Sequence, residues 1–216
     1  MSISKYNQTY NYITNGPTKI AIDFNYFDST GGEISAKPFI EYLKQQHPNK
    51  IFNHALDWCS GIGFLGLELF SQQVCKNVTF IDSHMPYIVK LQKNLKKHNI
   101  TEYAKAYSCD TISFLDKSIR FDLIVFCGPL TDKLNVDKNV EIARINVDVD
   151  WKAHKDFFAN ASQYLETNGY AYVFGHKLNS SPSTFGAMIE DSGLVLNNVF
   201  DFLENSYIME FTKLKT

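Results

Sequence analysis

The chain has 216 residues, of which 44% are hydrophobic and 20% are charged. This length suits one α/β domain with its own hydrophobic core, and we do not expect a second large domain. The formal net charge is -2, from 21 basic and 23 acidic residues. Such a balance gives no broad attraction for a phosphate backbone and disfavours nucleic acid as a partner.

Three other protein classes are disfavoured by the sequence. No apolar run approaches the roughly 18 residues that a membrane span requires, so no membrane partner is expected. The N-terminus lacks the basic start and apolar core of a signal peptide, which predicts a cytoplasmic location. No C-x-x-C pair or zinc-like spacing occurs among the cysteines, so we expect reduced thiols and predict no metal. Nothing in the sequence indicates an oligomeric state.

The N-terminal part of the chain is polar and tyrosine-rich, and we interpret residues 1–34 as an extension outside the core that is able to act as a lid. Residues 35–216 then form the main domain. A first helix is predicted over residues 35–46, with Ser35 as its N-cap and with apolar residues at helical spacing.

Apolar strands then alternate with amphipathic helices. The predicted strands span residues 53–58, 77–82, 103–108, 121–127 and 170–175. The predicted helices span residues 64–74, 86–98, 151–166 and 182–191. Two last strand-like runs, 194–200 and 206–214, predict a closing antiparallel hairpin. The expected fold class is therefore α/β: a doubly wound, mostly parallel seven-stranded sheet with a C-terminal antiparallel hairpin.

A glycine-bearing turn follows the first strand of this series, which ends on Asp57. Gly61-x-Gly63-x-x-Gly66 begins four residues later. Glycines without a Cβ bring backbone N–H groups close to a ligand, so a nucleotide-like molecule is expected here. Alone, the string also suits NAD, FAD or a tight junction between helix and sheet.

Acidic residues follow three neighbouring predicted strands: Asp57, Asp82 and Asp110. The acid after the second strand suits the two hydroxyl donors of an adenosine ribose. The acids after the first and third strands indicate further donors, namely an amino group near Asp57 and an adenine amine near Asp110. S-adenosylmethionine carries all of these groups and no pyrophosphate.

With these residues, the chain resembles the Rossmann-like (class I) S-adenosylmethionine-dependent methyltransferases. Residues 55–63, ALDWCSGIG, are similar to the first motif of that family, with Cys59 where a glycine is common. Residues 78–82 match the second motif, and residues 121–125 match the fourth strand. The resemblance covers roughly residues 35–213 and implies a methyltransferase domain over residues 35–216. The cofactor-binding residues that it implies are Asp57, Ser60, Gly61, Gly63, Asp82, Ser83, Asp110, Thr111 and Cys127.

The fourth motif departs from the nearest branch of the family. That branch modifies amide or amine nitrogens and carries Asn-Pro-Pro-Tyr, whereas this chain has Cys127-Gly128-Pro129-Leu130. Cysteine lacks the amide oxygen that orients an acceptor nitrogen, and leucine lacks the stacking face of tyrosine. Cys127 acts either as a base with a lowered pKa or as a small apolar group lining the pocket.

Few side chains are needed for methyl transfer, because a general base is required only if the acceptor arrives protonated. Cys127 and His176 are the predicted catalytic residues, and His154 is a further candidate base. Two segments are candidate lids over the acceptor, residues 25–33 and residues 131–150. Residues 131–150 are equally well interpreted as an ordinary connection between a strand and the next helix.

The predicted function is methyl transfer to a small molecule or a protein side chain. One alternative is a degenerate methyltransferase fold that serves as a binding or scaffold protein, which the altered fourth motif would also produce. Another is an NAD(P)-dependent oxidoreductase. The latter lacks support because Tyr164 is followed four residues later by Asn168 and not by the lysine of a Tyr-x-x-x-Lys pair.

Overall fold

The structure of the chain is a computed structural model, and it describes residues 8–25, 28, 31–132 and 147–215. In chain order these residues form β1 (Thr9–Ile13), β2 (Ala21–Asn25), α1 (Gly32–Gln46), β3 (Phe52–Trp58), α2 (Phe64–Ser71), β4 (Cys75–Asp82), α3 (Met85–Lys97), β5 (Ala104–Ser108), β6 (Phe121–Phe126), α4 (Lys152–Tyr164), β7 (Leu165–His176), α5 (Gly186–Glu190), β8 (Leu194–Phe202) and β9 (Ser206–Lys213). Short 3-10 turns span Ile112–Phe114, Val149–Trp151 and Pro182–Phe185.

Seven strands form the main sheet in the order β5-β4-β3-β6-β7-β9-β8. Strands β3 to β7 run parallel to one another, while β9 runs antiparallel to both β7 and β8. The predicted fold class is confirmed. The strand order reverses between β3 and β6, and ligands of open α/β sheets bind at such a switch point, beyond the carboxyl ends of the strands.

A separate hydrophobic cluster covers each face of the sheet. One face packs against α1, α2 and α3, through residues such as Phe39, Leu67 and Leu91. The other face packs against α4 and the turns beside it, through residues such as Phe157 and Phe185. Parallel strands buried on both faces read as nearly continuous apolar runs, which is why the sequence predicted them well.

The N-terminal hairpin of β1 and β2 belongs to the core, so the expectation that this segment lies outside it is wrong. Ile20 and Ile22 are fully buried in the same cluster as α1 and α2. The Tyr12 hydroxyl donates a 2.9 Å hydrogen bond to the buried carboxylate of Glu68 in α2. The same carboxylate accepts the backbone N–H of Asn15 at 2.8 Å.

Helix α1 begins three residues earlier than predicted, at Gly32. Gly31 precedes it with φ 88°, a left-handed conformation that favours glycine. Ser35 therefore lies in the first turn, where its hydroxyl donates to the Gly31 carbonyl at 2.9 Å, and is not the N-cap. The domain boundary after residue 34, which falls inside this turn, stays a prediction.

The C-terminal part differs from expectation in its details. Residues 182–191 form a 3-10 turn followed by the short helix α5, and β7 is longer than predicted at its start. Strand β8 lies at the outer edge of the sheet, and its pairing with β9 shifts register between Leu196 and Asn198. Within the described ranges, no helix is long and apolar enough to cross a membrane. Much of each candidate lid, 25–33 and 131–150, lies outside the described residues.

Candidate functional site

The turn after β3, residues 59–63, is built on left-handed backbone. Cys59 has φ 59°, Gly61 has φ 57° and Gly63 has φ 90°. Cys59 thus adopts the conformation for which glycine is common at this position, at a cost of roughly 1–2 kcal/mol for a residue with a Cβ. Gly66 serves a different purpose, because a Cβ there would lie 2.4 Å from the Phe80 ring. The absence of a Cβ at this position allows α2 to pack closely on the sheet.

Asp57 lies beneath this turn and is almost fully buried. Its carboxylate accepts the backbone N–H of Gly66 at 2.8 Å, which holds the start of α2 against β3. Burial raises the pKa of Asp57 to about 7; the hydrogen bond from Gly66 opposes this shift and the nearby charge of Asp82 adds to it. A cationic group would favour its ionised form.

Asp82 ends β4 and is fixed by two backbone hydrogen bonds. It accepts the N–H of Gly61 at 2.8 Å and the N–H of His84 at 2.7 Å, one on each carboxylate oxygen. Burial raises the pKa of Asp82, although both of these bonds lower it. Each oxygen keeps a further lone pair, so the carboxylate can accept two hydroxyl groups of a ribose.

The third acid, Asp110, is exposed after β5. Its carboxylate lies 3.7 Å from the ammonium of Lys152 at the start of α4, and both side chains are exposed. Thr111 next to it is engaged elsewhere. Its hydroxyl donates to Asp156 at 2.7 Å and accepts the backbone N–H of Ser113 at 3.2 Å.

A cavity of about 750 Å³ opens at this edge of the sheet. The predicted site residues that line it are Gly61, Asp82, Ser83, Asp110 and Cys127. The predicted site residues that lie outside its wall are Asp57, Ser60, Gly63, Thr111 and His176. The hydroxyl oxygen of Ser60 is buried and has no hydrogen-bond partner among the described residues.

These residues fit a nucleoside with an amino-acid tail. Asp82 offers acceptors for a ribose, and the left-handed turn brings backbone close to the ligand without a Cβ at Gly61. The buried Ser60 hydroxyl is a polar group that a ligand would satisfy. The acidic wall suits a sulfonium and an ammonium.

The electrostatics of Cys127 do not support a base. Burial, together with the charges of Asp57 and Glu33, raises the pKa of its thiol to about 12. The thiol is therefore neutral at pH 7, as a lining group would be. His176 ends β7, is half-buried and has a ring Nδ1 without a hydrogen-bond partner in the described part of the chain.

Sequence reasoning missed Asp148 as a site residue and did not foresee its pairing with His154. Asp148 lines the cavity, and its Oδ2 lies 2.7 Å from Nδ1 of His154. The pair is buried, and His154 itself is enclosed by aromatic rings outside the cavity wall. The only signal in the sequence is an acid placed just before a helix, which is usually a helix cap.

The fold is that of the class I, Rossmann-like methyltransferases. Residues 24–200 match the family model described as the methyltransferase small domain, and the chain belongs to that family. S-adenosylmethionine is its cofactor. The kinship with the branch carrying an Asn-Pro-Pro-Tyr motif stays a prediction.

Similar proteins include the ribosomal protein uL3 glutamine methyltransferase of Francisella tularensis subsp. tularensis. It is 30% identical over 82 residues, which cover 38% of this chain and 26% of that protein. The chain thus matches about a quarter of the length of this curated relative.

Solved structures share the fold. The 16S rRNA N2 G1207 methyltransferase of T. thermophilus, in complex with AdoMet and guanosine, has a TM-score of 0.63 at 15% identity, over 95% of this chain and 50% of that one. The ribosomal protein L11 methylase of Lactobacillus delbrueckii subsp. bulgaricus has a TM-score of 0.60 at 12% identity, over 84% and 79%.

Proposed function

We propose that this chain transfers the methyl group of S-adenosylmethionine to a small molecule or a protein side chain that carries no negative charge. The observation that carries this proposal is the charge of the cavity wall. Three carboxylates, Asp82, Asp110 and Asp148, face one ammonium, Lys152. Such a wall attracts cations and repels the phosphates of a nucleic acid.

We assign one side of the cavity to the cofactor and the other side to the acceptor. Asp82 and Asp110 lie on the side of β4 and β5 and would hold the nucleoside, with Asp57, Ser60, Gly61 and Gly63 near the methionine part. Residues 127–131 and 147–149 lie on the side of β6 and would hold the acceptor.

When bound, S-adenosylmethionine would supply an electrophilic methyl group with a neutral thioether as its leaving group, and a neutral nitrogen acceptor would lose its surplus proton to solvent after the transfer. The protein's contribution is to align the acceptor with that methyl and to exclude water. Cys127 supports this by lining the cavity as a neutral thiol.

Net charge alone does not rule out nucleic acid, since one of the similar structures is named for 16S rRNA. The test therefore offers all three acceptor classes at once. The chain is incubated with methyl-labelled S-adenosylmethionine and with the small-molecule, protein and RNA fractions of one cell extract. We expect label in the small-molecule fraction or in protease-sensitive material.

The control is Asp82→Ala, which should abolish labelling and weaken cofactor binding in titration calorimetry. Label that disappears on RNase treatment would replace the proposed acceptor with RNA. Tight cofactor binding with no label in any fraction would favour the binding or scaffold alternative. A cytoplasmic location stays a prediction.

A further inference from the structure

We propose that Asp148 is a specificity-determining residue whose carboxylate accepts a hydrogen bond from the N–H of the acceptor, so that the site selects an amine or amide nitrogen. This inference rests on the proposed function and names the acceptor chemistry of the same cavity. It assigns to Asp148 the orienting role that the side chain of Cys127 cannot fill.

The first support is position. Although Asp148 lies 21 residues beyond Cys127 in the sequence, its backbone N–H donates to the carbonyl of Thr131 at 2.8 Å. The flanking Val147 forms a parallel bridge with Thr131. These contacts place Asp148 in the wall that continues β6, beside residues 127–131, where the acceptor would bind. The charge of Asp148 also raises the pKa of Cys59 in the turn after β3.

The second support is the way in which the carboxylate is held. Oδ1 accepts the backbone N–H of Ala153 at 2.7 Å. Oδ2 accepts the backbone N–H of His154 at 3.1 Å and lies 2.7 Å from its ring Nδ1. Since each carboxylate oxygen has two lone pairs, Oδ1 keeps one acceptor direction for a ligand, while the other bonds fix its orientation.

The third support is the protonation state of the pair. Burial lowers the pKa of His154, and this outweighs the opposing effect of Asp148, so the ring is neutral and Nδ1–H donates. Burial would raise the pKa of Asp148, but the bonds from the His154 ring and from two backbone N–H groups lower it overall. The carboxylate of Asp148, a residue of the cavity wall, is therefore ionised, and it accepts hydrogen bonds and donates none.

His154 acts as a positioning residue. Its ring stacks parallel to Phe185 with centroids 4.6 Å apart, and it meets the rings of Phe126 and Trp151 edge-on at 4.8 and 4.9 Å. This enclosure fixes the ring and, through it, the carboxylate. If Asp148 only capped α4, the aromatic enclosure of His154 would not be needed, because one side-chain oxygen that accepts from the first backbone N–H groups is sufficient for a cap.

The experiment uses small probes in place of the acceptor, with the full chain saturated by S-adenosylhomocysteine. Acetamide carries N–H donors, methanol carries only a hydroxyl, and acetone, which is neutral and similar in size to acetamide, carries no donor. Their affinities are measured by chemical-shift titration of residues 127–131. We expect acetamide to bind about tenfold more tightly than acetone, the effect of one hydrogen bond to a charged group, with methanol in between.

Asp148→Asn, whose amide oxygen is a weaker acceptor than a carboxylate, should reduce this preference while leaving the affinity for S-adenosylhomocysteine unchanged. His154→Phe, which keeps an aromatic ring but has no Nδ1–H, should also reduce the preference for acetamide. The matched control is Asp122→Asn. Asp122 also accepts two backbone N–H groups, from Asn53 and His54, but lies outside the cavity, and its substitution should leave the preference intact.

Equal binding of acetone and acetamide, or a preference that is unchanged in Asp148→Asn, would show that Asp148 only caps α4. Failure of S-adenosylhomocysteine to bind the unchanged chain would instead contradict the proposed function. The two failures are thus separated by the cofactor titration that precedes the probes.

Discussion

Burial raises the pKa of Asp57 to about 7, so a large part of this side chain is protonated at pH 6. A bound ammonium group favours the ionised carboxylate. Binding of S-adenosylmethionine at pH 6 should therefore release a proton from Asp57, and affinity should increase as the pH is raised from 6 to 8. Titration calorimetry in two buffers with different ionisation enthalpies measures the release.

The matching variant is Asp57→Asn, which keeps an acceptor for the Gly66 N–H but has no proton to lose. Its apparent binding enthalpy should become independent of the buffer. Buffer-independent heats in the unchanged chain at pH 6 would mean that the cofactor's amino group does not lie close to this carboxylate.

Cys127 provides a second test at the scale of one residue. Since its thiol is neutral at pH 7, Cys127→Ala should lower the methyl-transfer rate by less than about tenfold, whereas the loss of a general base typically costs about 10² or more. Initial rates with labelled cofactor, for this variant and for Cys127→Ser, distinguish the two. A loss of the larger size in both variants would restore the base interpretation.

The residues of the site differ in how far the sequence could predict them. Asp82 and Gly61 follow strand ends at fixed spacing, so the sequence brought them to one edge, and a 2.8 Å hydrogen bond joins them. Asp148 reaches that edge through a contact with Thr131, and no local pattern encodes a contact between residues so far apart in the chain.

The junction between β3, β4 and α2 depends on glycine for space. A Cβ at Gly66 would meet the Phe80 ring at 2.4 Å and the Asp57 carboxylate at 2.9 Å. Gly66→Ala should therefore lower the free energy of unfolding by about 2 kcal/mol through overpacking. Urea denaturation followed by circular dichroism measures the change.

Gly186 is the matched control, since it begins α5 and a Cβ there would meet nothing within 4 Å. Gly186→Ala should leave the stability unchanged or raise it by about 0.5 kcal/mol, because alanine restricts the unfolded chain. If both variants had the same stability, close packing of α2 on the sheet would not explain why residue 66 is a glycine.

Among the elements, central strands were predictable and the N-terminal hairpin was not. Strands β3, β4 and β6 are apolar because both of their faces are covered. Strands β1 and β2 have five residues each, and β1 buries only Tyr12, so neither shows a clear apolar pattern. Only the packing on α2 reveals that they belong to the core.

For the whole molecule, the buried carboxylate of Glu68 joins this hairpin to the rest of the domain. Tyr12→Phe removes one donor to that carboxylate and should destabilise the entire fold by about 1–3 kcal/mol. The measurement is the thermal melting temperature together with urea denaturation.

Tyr10→Phe serves as the comparison, because the Tyr10 hydroxyl contacts only Gln8 among the described residues and is exposed. It should melt within error of the unchanged chain. Equal melting temperatures for both variants would indicate a hairpin that detaches freely, as a separable lid would.

The outer strand β8 bears on how the molecule behaves at high concentration. A regular open edge invites neighbouring copies to add strands and to grow into fibrils. The register shift between Leu196 and Asn198 bends that edge and interrupts its ladder of N–H and carbonyl groups. Because irregular edge strands pair poorly with further strands, we expect a variant with a straightened β8 to aggregate at a lower protein concentration than the unchanged chain.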